Sequence, residues 1–292
     1  VITVRRVSIG LLVSAVVVAL ALFDWAFKSK WGTSLAIIWL TCGALRELYG
    51  MFEAAGIPCH RRWGVGCSAV LMLVRVGYRY LGLEDSEAHE VFLAGLAMVA
   101  IAPLMGRVIR AKVPVEPEPQ QLVKIGATTL GLVYVTLCAS FLLEMRLIQD
   151  GSGSTLLGLM LALLLCATVK AGDSAAYFVG RTMGKHSLSP ISPKKTIEGS
   201  IASLLASVFV SLVIGSVCFK FDARVMAGFG VIADLAGQGG DLVESYIKRV
   251  LGTKDSAKTF GEMGGLLDVI DALLLASPAA YLWVELMVVR GS

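Results

Sequence analysis

Apolar runs close to twenty residues long recur from one end of the chain to the other, separated by short polar stretches. A helix rises 1.5 Å per residue, so about 20 such residues cross a hydrocarbon layer of roughly 30 Å. Nine segments meet or approach this length: 7–23, 35–52, 64–83, 91–106, 122–143, 155–179, 200–219, 225–243 and 265–289. Backbone polar groups in lipid must be satisfied within their own segment, which selects helices for runs of this kind. The pattern predicts an all-α integral membrane protein, a polytopic bundle of about nine transmembrane helices. The fourth run is short. The eighth carries Asp234 and the sequence GQGGD, so its end is expected to be broken or buried in protein rather than lipid-facing.

Composition agrees with this reading. Of 292 residues, 56% are hydrophobic and 16% charged, with a mean hydropathy of +0.76. Soluble domains carry about 25% charged residues, so one polytopic unit is expected rather than two soluble domains. The first run lacks a small-x-small exit and leads into further spans, which reads as a retained helix and not a cleaved signal. The six cysteines are scattered without a C-x-x-C and read as packing residues. The three histidines stand apart, which excludes a zinc site as an expectation. No internal repeat is visible.

Lys and Arg set the orientation. With the N-terminus in the cytoplasm, the inner segments hold Arg5, Arg6, Arg61, Arg62, Arg107, Arg110, Lys112, Lys124, Arg181, Lys185, Lys194, Lys195, Lys248, Arg249, Lys254 and Lys258. The outer segments hold far fewer. This predicts a C-terminus outside and both polar loops, 180–199 and 244–264, in the cytoplasm. The Pro/Glu-rich stretch VPVEPEPQQ (113–121) divides an N-terminal transmembrane part of about four spans, 1–112, from a C-terminal part of about five, 122–292.

The dense polar motifs all lie in the second part. In KAGDSAAYFVGR (170–181), Lys170 and Asp173 share a helix face, either as an internal ion pair or as the wall of a site. In SPISPKKTIEGS (189–200), Lys194, Lys195, Thr196 and Glu198 lead into an apolar helix that Thr196 could cap, leaving backbone N–H groups for an anion. In GDLVESYIKRVLGTKDSAKTFGEMGGLLDVID (240–271), a helix would align Asp241, Ser245 and Lys248 on one face. Asp268 and Asp271 would offer two carboxylates at the start of the last span, after the tight turn that Gly264 and Gly265 permit. Hard oxygen donors of this kind suit Mg²⁺ shared with substrate phosphates. The plain alternative is a solvated loop with acids that favour a helix N-terminus.

These motifs resemble the CTP:phosphatidate cytidylyltransferase (CDP-diacylglycerol synthase) family. The matching residues are Ser245, Lys248, Arg249, Lys254, Asp255, Gly264, Gly265, Asp268 and Asp271, with Gly240, Asp241, Leu242 and Glu244 before them. Asp173, Ala176, Tyr177, Phe178, Gly180 and the run from Ser192 to Gly199 match upstream. The resemblance covers about 165–285 and implies a membrane nucleotidyltransferase that converts CTP and phosphatidate to CDP-diacylglycerol and pyrophosphate for phospholipid synthesis. It implies Mg²⁺ on Asp241 and Asp268, with Asp271 and Asp255 as outer or alternate ligands, and leaves room for a monovalent cation. Lys194, Lys195, Lys248, Arg249 and Lys254 would hold phosphates of CTP or lipid. Asp173 and Ser245 would orient these groups. Asp241, Asp268, Lys248 and Lys254 are the expected catalytic set, and Ser192, Thr196, Glu198, Gly264 and Gly265 complete the substrate contacts. The expected partners are CTP, phosphatidate and bilayer lipid, with no nucleic acid; a homodimer is allowed for. The location implied is the inner cell membrane, with the active site facing the cytoplasm.

The chain departs from the family at Met263, where His is usual, at Val269, where Arg is usual, and at Gly261, where Pro is common. Other readings are a CTP-dependent polyprenol or diacylglycerol kinase, an archaeal-type ether-lipid cytidylyltransferase, an inactive lipid-binding paralogue and a transporter. Against transport, the charges gather at one membrane face and not at the midplane.

Overall fold

A computed structural model describes residues 4–80, 85–110, 119–150, 153–253, 256 and 265–289. Among the described residues nine helices stand at the nine apolar runs: α1 (Val4–Phe27), α2 (Trp31–Ala54), α3 (Arg61–Tyr80), α4 (Asp85–Arg110), α5 (Pro119–Leu147), α6 (Leu156–Met183), α7 (Ile197–Cys218), α8 (Ala223–Val250) and α9 (Leu266–Val288). Among the described residues there is no β-strand, only an isolated bridge between Ser187 and Thr196. The protein is an all-α membrane protein. Among the described residues five helices, α2, α5, α6, α7 and α9, are long and apolar enough to cross a bilayer. Helices α3 and α8 fall short in composition because they carry polar side chains that the protein itself buries: Arg75 on α3, and Asp234 and Glu244 on α8.

Contacts divide the chain into two units. Unit 1 comprises Val1–Leu143 and Leu251–Asp268; unit 2 comprises Glu144–Val250 and Val269–Ser292. The division passes through the end of α5 and the first turn of α9.

In unit 1, the end of α1 caps the start of α2. Asp24, 2% exposed, accepts hydrogen bonds from the backbone N–H of Gly32 (2.9 Å) and Thr33 (2.8 Å) and from the Thr33 hydroxyl (2.6 Å). A carboxylate is the favoured partner of a helix N-terminus. Tyr49 of α2 is wholly buried and donates to the Thr128 carbonyl of α5 at 2.7 Å. A Cβ at Gly64 or Gly131 would strike its ring, so both positions need glycine to admit it.

Unit 2 is built on α7, whose patterning is inverted relative to a soluble helix. Gly199, Ser203, Ser207, Ser211 and Gly215, spaced by four, form its buried face. Ile201, Leu205, Phe209, Val213 and Val217, spaced likewise, form its exposed face. Such an arrangement is favourable only where the surroundings are apolar and small residues let helices approach. Helices α6 and α8 pack on the small-residue face.

Helix α8 is continuous from Ala223 to Val250, so the break considered at GQGGD does not occur. The reason is hydrogen bonding. The Ser203 hydroxyl donates to Asp234 Oδ1 at 2.5 Å and the Ser207 hydroxyl at 2.9 Å, while Gln238 Nε2 donates to Asp234 Oδ2 at 2.6 Å. The buried carboxyl is thus satisfied side chain to side chain, and the helix ladder stays intact. All six cysteines are free.

Candidate active site

Three carboxylates converge in unit 2. Oxygens of Asp241 and Glu244 on α8 and of Asp271 on α9 all lie within 4.8 Å of one another. The spacing of Asp241 and Glu244, three apart, puts both on one helix face. Gly240 lets that face approach α9, since a Cβ there would stand 2.5 Å from the Asp271 carbonyl oxygen. Asp241 is partly exposed, whereas Asp271 is 8% exposed and Glu244 fully buried. Ionised carboxylates held this close repel one another unless cations intervene. Two lysines supply part of the balance: Lys195 pairs with Asp241 and Lys248 pairs with Glu244. The remaining donor set consists of hard oxygens, which fits a divalent cation of the Mg²⁺ kind.

The loop between α6 and α7 brings Lys195 to this cluster. Leu188 N–H donates to the Lys195 carbonyl (2.8 Å) and Ile197 N–H to that of His186 (2.9 Å), folding the loop back on itself. Thr196 caps α7 as its sequence suggested, its hydroxyl accepting from Gly199 N–H at 3.1 Å. Glu198 is occupied within the same loop: it accepts from the backbone N–H groups of Lys185 (3.1 Å) and His186 (3.3 Å) and meets His186 Nδ1 at 2.6 Å. Ser192 accepts from Lys195 N–H through its carbonyl at 3.0 Å, and Lys194 is exposed. On α6, Lys170 pairs with Asp173 at 3.0 Å. Asp241, Lys170 and Asp173 all lie within electrostatic reach of Asp271. On α8, Ser245 is half-buried and Arg249 exposed.

Asp268 belongs to unit 1. Its Oδ2 accepts from the Ser256 hydroxyl (2.6 Å), Ser256 N–H (3.3 Å) and Gly265 N–H (2.6 Å). Glu47 of α2 reaches the same turn, with its Oε2 accepting from the Ser256 hydroxyl (3.2 Å) and Leu267 N–H (2.9 Å). Lys254, Asp255 and Gly264, and with them Met263, lie outside the described residues.

Two residues join the site that the motifs do not assign. Glu244 matches the family pattern, and its i, i+3 spacing after Asp241 is the signal that places it on the same face. Glu47 lies in an apolar run with nothing in its neighbourhood to connect it to residues 256–268.

Comparison with known proteins now adds to the geometry. A family model described as "Cytidylyltransferase family" matches residues 4–287. A phosphatidate cytidylyltransferase of Synechocystis sp. is 28% identical, over 94% of this chain and 96% of its own length. One from Thermotoga maritima is 30% identical, over 74% of this chain and 84% of its own. One from Staphylococcus aureus reaches 44% over a shorter stretch, 36% of this chain and 42% of its own.

Proposed function

Because the chain belongs to the cytidylyltransferase family, we propose that it transfers the cytidylyl group of CTP to phosphatidate within a membrane, giving CDP-diacylglycerol and pyrophosphate. The carboxylate cluster of unit 2, with its two paired lysines, is the observation that carries the assignment of chemistry to residues. In this reading a phosphatidate oxygen attacks the α-phosphorus of CTP, the new P–O bond forms, and the bond to pyrophosphate breaks. A phosphate monoester has a second pKa of about 6 and is mostly ionised at neutral pH, so no side chain need remove a proton. What the protein supplies is position and charge.

Asp241, Glu244 and Asp271 would hold a divalent cation. When bound, that ion neutralises charge on the transferring and leaving phosphates. Lys195 and Lys248 stand beside the cluster as compact point charges, suited to phosphate oxygens from changing directions. Lys194 and Arg249, both exposed, extend the positive surface toward solvent. Lys170 and Asp173 would fix the electrostatics behind Asp271. Asp268 is proposed as the acceptor that shapes the turn into α9 through Ser256 and Gly265.

The test is a labelling assay on purified protein with phosphatidate and Mg²⁺. Label in the α-phosphate of CTP is expected to enter lipid, and label in the γ-phosphate is not. Lipid labelled from the γ-phosphate would mean a kinase, and labelling from neither would mean an inactive relative.

The same reading places the α6–α7 loop on the cytoplasmic side, where nucleotides are. Ser187 is exposed in that loop. A Ser187→Cys variant, made with the native cysteines removed, is expected to resist an impermeant thiol reagent in intact cells and to react after lysis. Reaction in intact cells would reverse the orientation.

A further inference from the structure

Lys195 reaches Asp241 from a loop, and a flexible side chain keeps such a partner only if the backbone behind it is fixed. The contacts of Thr196 and Glu198 tie the loop to itself and to the first turn of α7. Gln238 ties that first turn to α8. The Ser200 hydroxyl donates to Gln238 Oε1 at 2.5 Å, and Gln238 Nε2 donates to the Ser200 carbonyl at 3.2 Å. Nε2 also donates to Asp234 Oδ2 at 2.6 Å, while Asp234 Oδ1 accepts from Ser203 and Ser207. One amide thus links the start of α7 to a buried carboxyl that the same helix holds one and two turns further on.

The bridge stands close to the carboxylate cluster. Ser200 comes five residues after Lys195, and Gln238 three before Asp241. On α8 that is a rise of about 4.5 Å, less than one turn, and the two residues share a face. The link is specific to an amide. Its oxygen meets a hydroxyl donor, and its nitrogen meets a carboxylate and a carbonyl. A glutamate at 238 would set carboxylate against carboxylate. An alanine would take this donor from Asp234, which is 3% exposed. Gly172 of α6 closes the remaining side. A Cβ there would stand 2.5 Å from Ser207 Oγ and 2.7 Å from both Asp234 Oδ1 and Ser203 Oγ, so the row has no space in which to rearrange.

We propose that Gln238 is a positioning residue for the transfer site. By locking the first turn of α7 to α8, it sets where Lys195 stands relative to Asp241, and so where that lysine meets substrate phosphate. The kinetic consequence rests on the cytidylyl-transfer reading; the geometry of the link does not.

Two readouts on purified full-length protein test this. In the first, an amine-acylating reagent modifies the lysines, and mass spectrometry compares Lys195 with the exposed Lys194. In Gln238→Ala, modification of Lys195 relative to Lys194 is expected to rise about threefold or more, the scale of losing a partly exposed ion pair. Ser200→Ala removes one hydrogen bond and keeps the carbonyl contact; it should give a smaller rise and serves if Gln238→Ala fails to fold. Asp234→Asn combined with Gln238→Glu exchanges donor and acceptor across the link. That pair should return Lys195 to its original reactivity, whereas Gln238→Glu alone should not. The second readout is kinetic. Gln238→Ala is expected to lower kcat/KM for CTP about tenfold or more, but by less than about twofold in a Lys195→Ala background, since a residue that acts through Lys195 then has nothing to act on. Unchanged Lys195 reactivity in Gln238→Ala, or equal kinetic losses in the two backgrounds, would overturn the proposal. An original protein without cytidylyl transfer would sink the assigned reaction instead, and the lysine measurement would still decide the positioning.

Discussion

Replacing Asp241 by Asn or Glu244 by Gln is expected to lower the rate of cytidylyl transfer about a thousandfold or more, equivalent to roughly 4 kcal/mol of transition-state stabilisation. Each change keeps side-chain shape and removes one negative charge from a cluster whose oxygens lie within 4.8 Å of one another. The two variants should differ in an informative way. Asp241 is partly exposed and its partner Lys195 sits on a loop that can turn to water. Glu244 is fully buried and its partner Lys248 is only 14% exposed. Removing the carboxylate of a buried pair leaves an uncompensated ammonium and costs about 3–5 kcal/mol. Glu244→Gln should therefore lower thermal stability as well as rate, whereas Asp241→Asn should lower rate alone and raise the Mg²⁺ concentration for half-maximal activity. Thermal unfolding in detergent and an Mg²⁺ titration of the labelling assay distinguish these outcomes. Near-normal turnover in both variants would remove the cluster from the reaction.

Gly240→Val is expected to abolish activity without touching any charged group. Its Cβ would stand 2.5 Å from the Asp271 carbonyl oxygen and 3.4 Å from Ala272 Cα. The obstacle is backbone, which cannot rotate away, so α8 and α9 must separate. Overpacking of this kind costs typically 1–3 kcal/mol in stability. The separation also carries Asp271 away from Asp241 and Glu244. A displacement of about 1 Å at a reacting centre can cost around a hundredfold in rate, and a branched side chain demands more than that. Gly239→Val is the matched control, because a Cβ at Gly239 meets nothing within 4 Å. The control should retain activity. Equal loss in both would indicate a general intolerance of α8 to β-branching.

The helices were legible in the sequence because hydropathy is a local property. The apolar runs declare themselves from their own residues, even the short fourth one, and Thr196 before an apolar helix is a local cap signal that the structure bears out. Pairings between distant segments were not legible. Nothing in the run S-P-K-K-T indicates that Lys195 rather than Lys194 meets a carboxylate 46 positions later. The i, i+3 spacing of Asp241 and Glu244 defines a face, but which residue of α9 that face meets depends on helix packing. Asp234 left two outcomes open for a related reason. In sequence a carboxyl inside an apolar run suggests a break or burial in protein, and only the serines of α7, unremarkable in a list, reveal that it is buried and how it is satisfied. Glu47 lies more than two hundred residues from the turn it braces, a separation at which local pattern carries no information.

The serine face of α7 also bears on how the protein is made. Helix α7 has a mean hydropathy of 2.4 over its best window, the highest of the five spans, and can partition into lipid by itself. Helix α8 has no window that qualifies, and its Asp234 would enter hydrocarbon at a cost of about 2.5–3.5 kcal/mol if it entered alone. Ser203 and Ser207 emerge from the ribosome before Asp234 does. Insertion of α7 thus prepares the acceptor groove that α8 needs, and the two enter as a hairpin joined by the short link between Cys218 and Ala223. Synthesis order is then part of the folding instruction: a permuted chain in which α8 is translated ahead of α7 would present the carboxyl to the translocon before its partners exist.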